Sequence, residues 1–102
     1  MVEVLAVYDT PHYTLTSKGH ATGSDKACAA VSSIMYALGG WVLNHRAILP
    51  HADVTLGKGD AKVYAVGGSD LQAAFETAVL GLMQVAKSEP ERVKVKVSRR
   101  EP

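Results

Sequence analysis

One cysteine, Cys28, stands in the 102 residues, so no internal disulfide can form, and cysteine usage says little about the redox state of the compartment. Excess charge of one sign is also missing. Eleven basic against ten acidic side chains leave a formal charge of +1, which removes bulk electrostatics as a pointer to a nucleic acid or an anionic membrane. The N-terminal "MVEVLAVYDTP" lacks a basic stretch followed by a long apolar core, and no segment reads as apolar enough to span a bilayer. The expected location is therefore the cytoplasm, with no membrane partner and no direct nucleic-acid partner. Repeats, low-complexity tracts and internal linkers are absent. The histidines His12, His20, His45 and His51 are dispersed and have no metal-ligand spacing, so neither metal nor cofactor is expected.

What the chain does have is an ordinary globular balance, 47% apolar and 21% charged residues, and a length read as one domain over residues 1–102. A chain of this size buries roughly two thirds of the surface its unfolded form exposes. The elements follow from period. Val2 to Tyr8 is a β-branched apolar run closed by Asp9-Thr10-Pro11, and Tyr13 to Lys18 alternates, which together predict a hairpin. From Asp25 to about Leu43, Ala27, Val31, Ile34, Leu38 and Val42 recur at helical spacing. A second hairpin is expected from Asp53 to Leu56 and Lys62 to Val66, joined through "GKGDA". Leu71, Phe75, Ala78, Leu82 and Val85 mark a second helix from Ser69 to Lys87, and Arg92 to Ser98 is the last strand. The reading is an α+β fold of order ββαββαβ, a mainly antiparallel sheet with two helices packed on it.

Three features carry alternatives. The charges of "RVKVKVSRR" alternate with Val93, Val95 and Val97, as the solvated face of a strand does, with a ribosome or RNA contact as the other reading. Gly39-Gly40 marks a kink, an early helix end or a close approach of other backbone, since glycine costs about 1 kcal/mol inside a helix relative to alanine. Gly81 invites the close-packing reading in the second helix.

The chemistry concentrates in "SKGHATGSDKACAAVSS", Ser17 to Ser33. If Ser24 or Asp25 caps the first helix, Cys28 falls in its first turn, where unpaired N–H groups and the positive end of the dipole favour an anion such as a thiolate. At about 100° per residue Cys28 sits roughly 80° from the centre of the buried stripe, on the border of the core. An ordinary thiol with pKa near 8.5 needs on the order of 2 kcal/mol to become mostly thiolate at neutral pH, and a helix terminus supplies about 0.3 to 1 kcal/mol. A second group is required. His20 is the candidate nearest in sequence, with a turn-forming segment between the two. Asp25 orients His20 or caps the helix, the latter being the simpler role, and Ser32 is a further candidate supporting residue. A packed small cysteine and an exposed loop histidine remain the alternative from spacing alone.

At these residues the sequence resembles the ribosomal-processing cysteine protease family, Prp. The resemblance lies in "GHA", Gly19-His20-Ala21, in an aspartate, Asp25, three places before the cysteine, and in "CAAVS", Cys28 to Ser32. It covers nearly the whole chain and includes the ββαββαβ order. It implies a catalytic dyad of Cys28 and His20, a cytoplasmic homodimer, and endopeptidase removal of a short N-terminal extension from a large-subunit ribosomal protein during ribosome maturation. The implied partner is that peptide. A catalytically inactive peptide-binding relative and a protease acting on a different protein, such as a phage protein, are the alternatives. One departure is the short connection between His20 and Cys28, Ala21 to Ala27 only, where the family has a longer loop that helps to cover the site and select the peptide.

Overall fold

The computed structural model describes residues 1–20, 23, 25–57 and 59–100. Its elements are β1 Val2–Asp9, β2 His12–Lys18, α1 Asp25–Asn44, a 3-10 turn Arg46–Ile48, β3 His51–Gly57, β4 Asp60–Val66, α2 Ser69–Ser88 and β5 Val93–Arg99. The five strands form one sheet in the order β3-β4-β2-β1-β5. Pairings β1–β2, β2–β4 and β3–β4 are antiparallel, while β5 lies parallel to β1. The sheet is thus mixed and mainly antiparallel, as the alternating patterns imply.

Alternation decides which face is covered. Val2, Val4, Ala6 and Tyr8 of β1, Tyr13 and Leu15 of β2, and Ala61, Val63 and Ala65 of β4 are buried. Glu3, Leu5, Lys18, Lys62, Lys94 and Lys96, on the other parity, are exposed. Both helices pack on the first face: α1 lies over β3 and β4, α2 over β5, and the two helices lie side by side. Phe75 of α2 stands edge-on to Tyr8 with ring centroids 4.9 Å apart, and Tyr13 lies 5.3 Å from the same ring. These rings bury more apolar area per residue than any aliphatic side chain and anchor α2 to the sheet.

The helix stripes differ in detail from the expected ones. In α1 the buried residues are Ala27, Val31, Met35, Leu38, Gly39 and Val42, with Met35 in the place expected of Ile34. Ile34 turns toward α2, where a Cβ on Gly81 would stand 3.1 Å from its Cδ1; Gly81 is the close-packing glycine the sequence suggested. In α2 the stripe runs through Leu71, Phe75, Ala78, Val79 and Leu82, and Val85 is half-buried. The helix continues through Gly39-Gly40 without ending. A Cβ on Gly39 would stand 3.1 Å from side-chain atoms of Val54 and Leu56, so side chains of β3 pack tightly against the helix there.

One expectation needs correction. Asp25–Asn44 does reach the length and apolarity of a membrane span, with a mean hydropathy of 1.3 over 18 residues. Its alanine, valine and methionine positions raise the average, and the stripe among them faces the sheet.

Candidate active site

The sheet has one end at which several chain segments converge. Glu3, Lys18, Asp60 and Gly57 stand in register across β1, β2, β4 and β3, so the exit of β2, the β3–β4 turn and the start of β1 meet there. The N-terminal turn of α1 comes down onto the same end. Between them opens a cleft of about 360 Å³ whose lining includes His20, Asp25, Cys28, Ser32 and Tyr36.

His20 leaves β2 through Gly19, which has a φ of +97°. That left-handed backbone carries almost no penalty for glycine alone. The Gly19 N–H donates to the Gly59 carbonyl at 2.9 Å, and the amine of Met1 donates to the His20 carbonyl at 2.7 Å. The histidine backbone is therefore tied to the β3–β4 turn on one side and to the start of β1 on the other. Its imidazole lies on Gly59: a Cβ at that position would fall 2.5 Å from Cε1 and 2.6 Å from Nε2, and Gly59 itself has a φ of +76°. The ring of His20 thus rests on a surface that only glycine provides.

Cys28 is the fourth residue of α1 and is half-buried, at the border of the core as its angle on the helix implies. Asp25 is the first residue of the helix, where its carboxylate faces the positive end of the dipole. Among the described residues no hydrogen bond joins Asp25 to His20. Ser24, the alternative cap, lies outside the described residues. Ser32 and Tyr36 follow Cys28 at one and two helical turns, so the three share one wall of the cleft. Tyr36 is half-exposed on that wall, and Ser17 of β2 lies buried at the floor, 7% exposed.

All four site residues expected from the sequence therefore line one cleft. Gly59, Ser17 and Tyr36 were not anticipated. Tyr36 could have been found, because it continues the i, i+4, i+8 row from Cys28; Gly59 could not, because it comes from another hairpin. The other histidines lie elsewhere. His12 and His51 both stand in register with Val66, at the opposite end of β2 from His20, and pack against the Tyr64 ring. The His12 Nδ1 is 2.8 Å from the Tyr64 hydroxyl. His45 stacks on Trp41 with centroids 4.1 Å apart and donates from Nδ1 to the Trp41 carbonyl at 2.6 Å. A larger groove between the helices, about 710 Å³, is lined by residues that include Ala37, Leu38, Ala73, Ala74 and Ala78 and contains no cysteine.

No family model matches the chain, and no curated protein gives a significant match. Solved structures do. The ribosomal processing protease Prp from Staphylococcus aureus, in complex with a covalently linked product peptide, superimposes with a TM-score of 0.80 over 96% of this chain and 100% of that one, at 15% identity. The same protease in complex with a substrate peptide gives 0.71 over 96% and 100%, at 12% identity. SMU.848 from Streptococcus mutans gives 0.73 over 98% of this chain and 96% of that one, at 22% identity. With five strands and two helices in the order ββαββαβ over nearly its full length, the chain has the fold of the ribosomal processing protease Prp.

Proposed function

We propose that the protein is a cytoplasmic, homodimeric cysteine endopeptidase that removes a short N-terminal extension from a large-subunit ribosomal protein during ribosome maturation. The observation that carries this reading is the convergence of His20 and Cys28 on one cleft, reached from two different elements. The Prp fold supports it, since structures with that fold hold a substrate peptide and a covalently linked product peptide.

In the proposed reaction His20 takes the proton of the Cys28 thiol, and the sulfur attacks the scissile carbonyl carbon. The carbonyl oxygen becomes an oxyanion, which N–H groups of the first turn of α1 stabilise, because those donors have no partner within the helix. The C–N bond then breaks as the imidazolium delivers its proton to the leaving amine. A water, deprotonated by His20, attacks the thioester, and the cysteine is released with its proton restored. Asp25 and Ser32 support the site from the same helix. The Tyr36 wall and the cleft beside it hold the extended peptide.

The test is incubation with the ribosomal protein precursor of the same genome, with products read by mass spectrometry. One cut that shortens the N-terminus, abolished in Cys28→Ala, is expected; an intact precursor, or cutting by Cys28→Ala, overturns the reading. Sedimentation equilibrium at micromolar concentration checks the dimer. Monomer alone contradicts that part.

A further inference from the structure

Strand β5 is an edge strand with an unusual division of chemistry. The Val2 N–H donates to the Arg92 carbonyl at 2.8 Å and the Arg100 N–H to the Tyr8 carbonyl at 2.7 Å, so the even-numbered residues of β5 turn their backbone groups to β1. The odd-numbered ones turn outward. The Val93 N–H is taken by the Glu89 carbonyl at 3.0 Å, which leaves the N–H and C=O groups of Val95, Val97 and Arg99 as an open edge. Such an edge is a template for another strand.

The two sides of that edge differ. On the open face of the sheet stand Lys94 and Lys96, both exposed, followed by Ser98 and, past the end of the strand, Arg100. Glu3 of β1 stands in register with Lys94, but among the described residues no carboxylate lies within ion-pair distance of either lysine. On the helix face Val97 is 37% exposed beside Leu80, 60%, and Met83, 45%. These three side chains, with Tyr8 and Val79, form the apolar part of a hollow of about 460 Å³ that Glu76 and Arg99 also line, the Arg99 guanidinium lying over the Tyr8 ring. A strand laid along β5 would put alternate side chains against the lysines and into this hollow.

We propose that the β5 edge binds an extended partner segment in which acidic and apolar residues alternate, as a sixth strand of the sheet. A second copy of the chain is the poorer fit. Antiparallel pairing of two β5 strands about Val95 would set Lys94 opposite Lys96, and like charges placed opposite one another destabilise a ladder. A nucleic acid would meet the lysines but would supply neither backbone partners for the edge nor apolar groups for the hollow. The site is separate from the cleft of His20 and Cys28 and does not depend on the proposed proteolysis.

The test uses a labelled heptapeptide alternating Glu and Val, a counterpart alternating Lys and Val, fluorescence anisotropy, and amide exchange followed by NMR. The Glu peptide should bind at least ten times more tightly than the Lys peptide and should slow exchange at the Val95 and Val97 amides. Val97→Pro removes an outward N–H while leaving the ladder to β1 intact, and should lower affinity at least tenfold with an unchanged circular dichroism spectrum. Changing Lys94→Glu and Lys96→Glu together should invert the peptide preference, which keeps the test informative should the proline variant not fold. Equal binding of both peptides, protection elsewhere, protection that grows with protein concentration in the absence of peptide, or displacement of the peptide by a single-stranded RNA oligomer each overturns the proposal.

Discussion

At the scale of the residue, the site combines groups that sequence places close together with one that it places far away. His20, Asp25, Cys28 and Ser32 fall within one short stretch, so their meeting required only the end of β2 and the start of α1, each with its own signal in glycines and apolar period. Gly59 left no such signal, because its role arises from the pairing of β2 with β4, which carries the β3–β4 turn under the imidazole. Gly59→Ala is expected to act twice. Alanine at φ +76° costs about 1 kcal/mol of stability, and its Cβ would displace the His20 ring. Thermal unfolding should show the first effect and kinetics a fall in kcat the second; unaltered kcat would mean that the imidazole does not need this seat. Tyr36→Ala, on the exposed wall, should raise KM for the peptide several-fold with kcat nearly unchanged, as loss of uniform substrate binding does.

At the scale of the element, the order and type of every strand and helix were legible from period, while the exact facing of α1 was not. The helix serves two neighbours at once. Its Val31, Met35, Leu38 and Val42 row meets the sheet, and Ile34 meets α2, so a single apolar stripe underdescribes it. The two glycines of the pair differ in what faces them. At Gly40 nothing lies within 4 Å of an added Cβ, whereas at Gly39 Val54 and Leu56 leave only 3.1 Å. Gly40→Ala should therefore stabilise the protein by about 0.5 to 1 kcal/mol through helix propensity. Gly39→Ala gains the same propensity but must push β3 side chains aside, at about 1 to 3 kcal/mol. Urea midpoints of the two variants should lie on opposite sides of the wild type; equal midpoints would mean that β3 yields freely.

At the scale of the whole molecule, the mixed sheet and its core set how stability responds to pH. Burial holds the Tyr8 hydroxyl above the ordinary tyrosine range, and the Arg99 guanidinium, 4.1 Å over the ring, opposes part of that rise. A phenol that ionises later in the folded state than in the unfolded one contributes stability that is whole below about pH 10 and is lost as the pH climbs through the folded value. Tyr8→Phe keeps the edge contact with Phe75 and should flatten the decline of the urea midpoint between about pH 9.5 and 11; an unchanged slope would place the alkaline loss in other groups. Long-range pairing such as β1 with β5, in parallel, could not be read from local period, because it depends on where α2 returns the chain. That return also leaves β5 as an edge.

The central claim is that Cys28 and His20 act together, and the rate of alkylation of Cys28 by iodoacetamide at pH 6 tests it most directly. A thiol served by an imidazole should react much faster than a free small-molecule thiol at that pH, and His20→Ala should bring the rate down at least to that of the free thiol. A wild-type rate no faster than the free thiol, with no change in His20→Ala, would contradict the account and leave Cys28 as a packed residue.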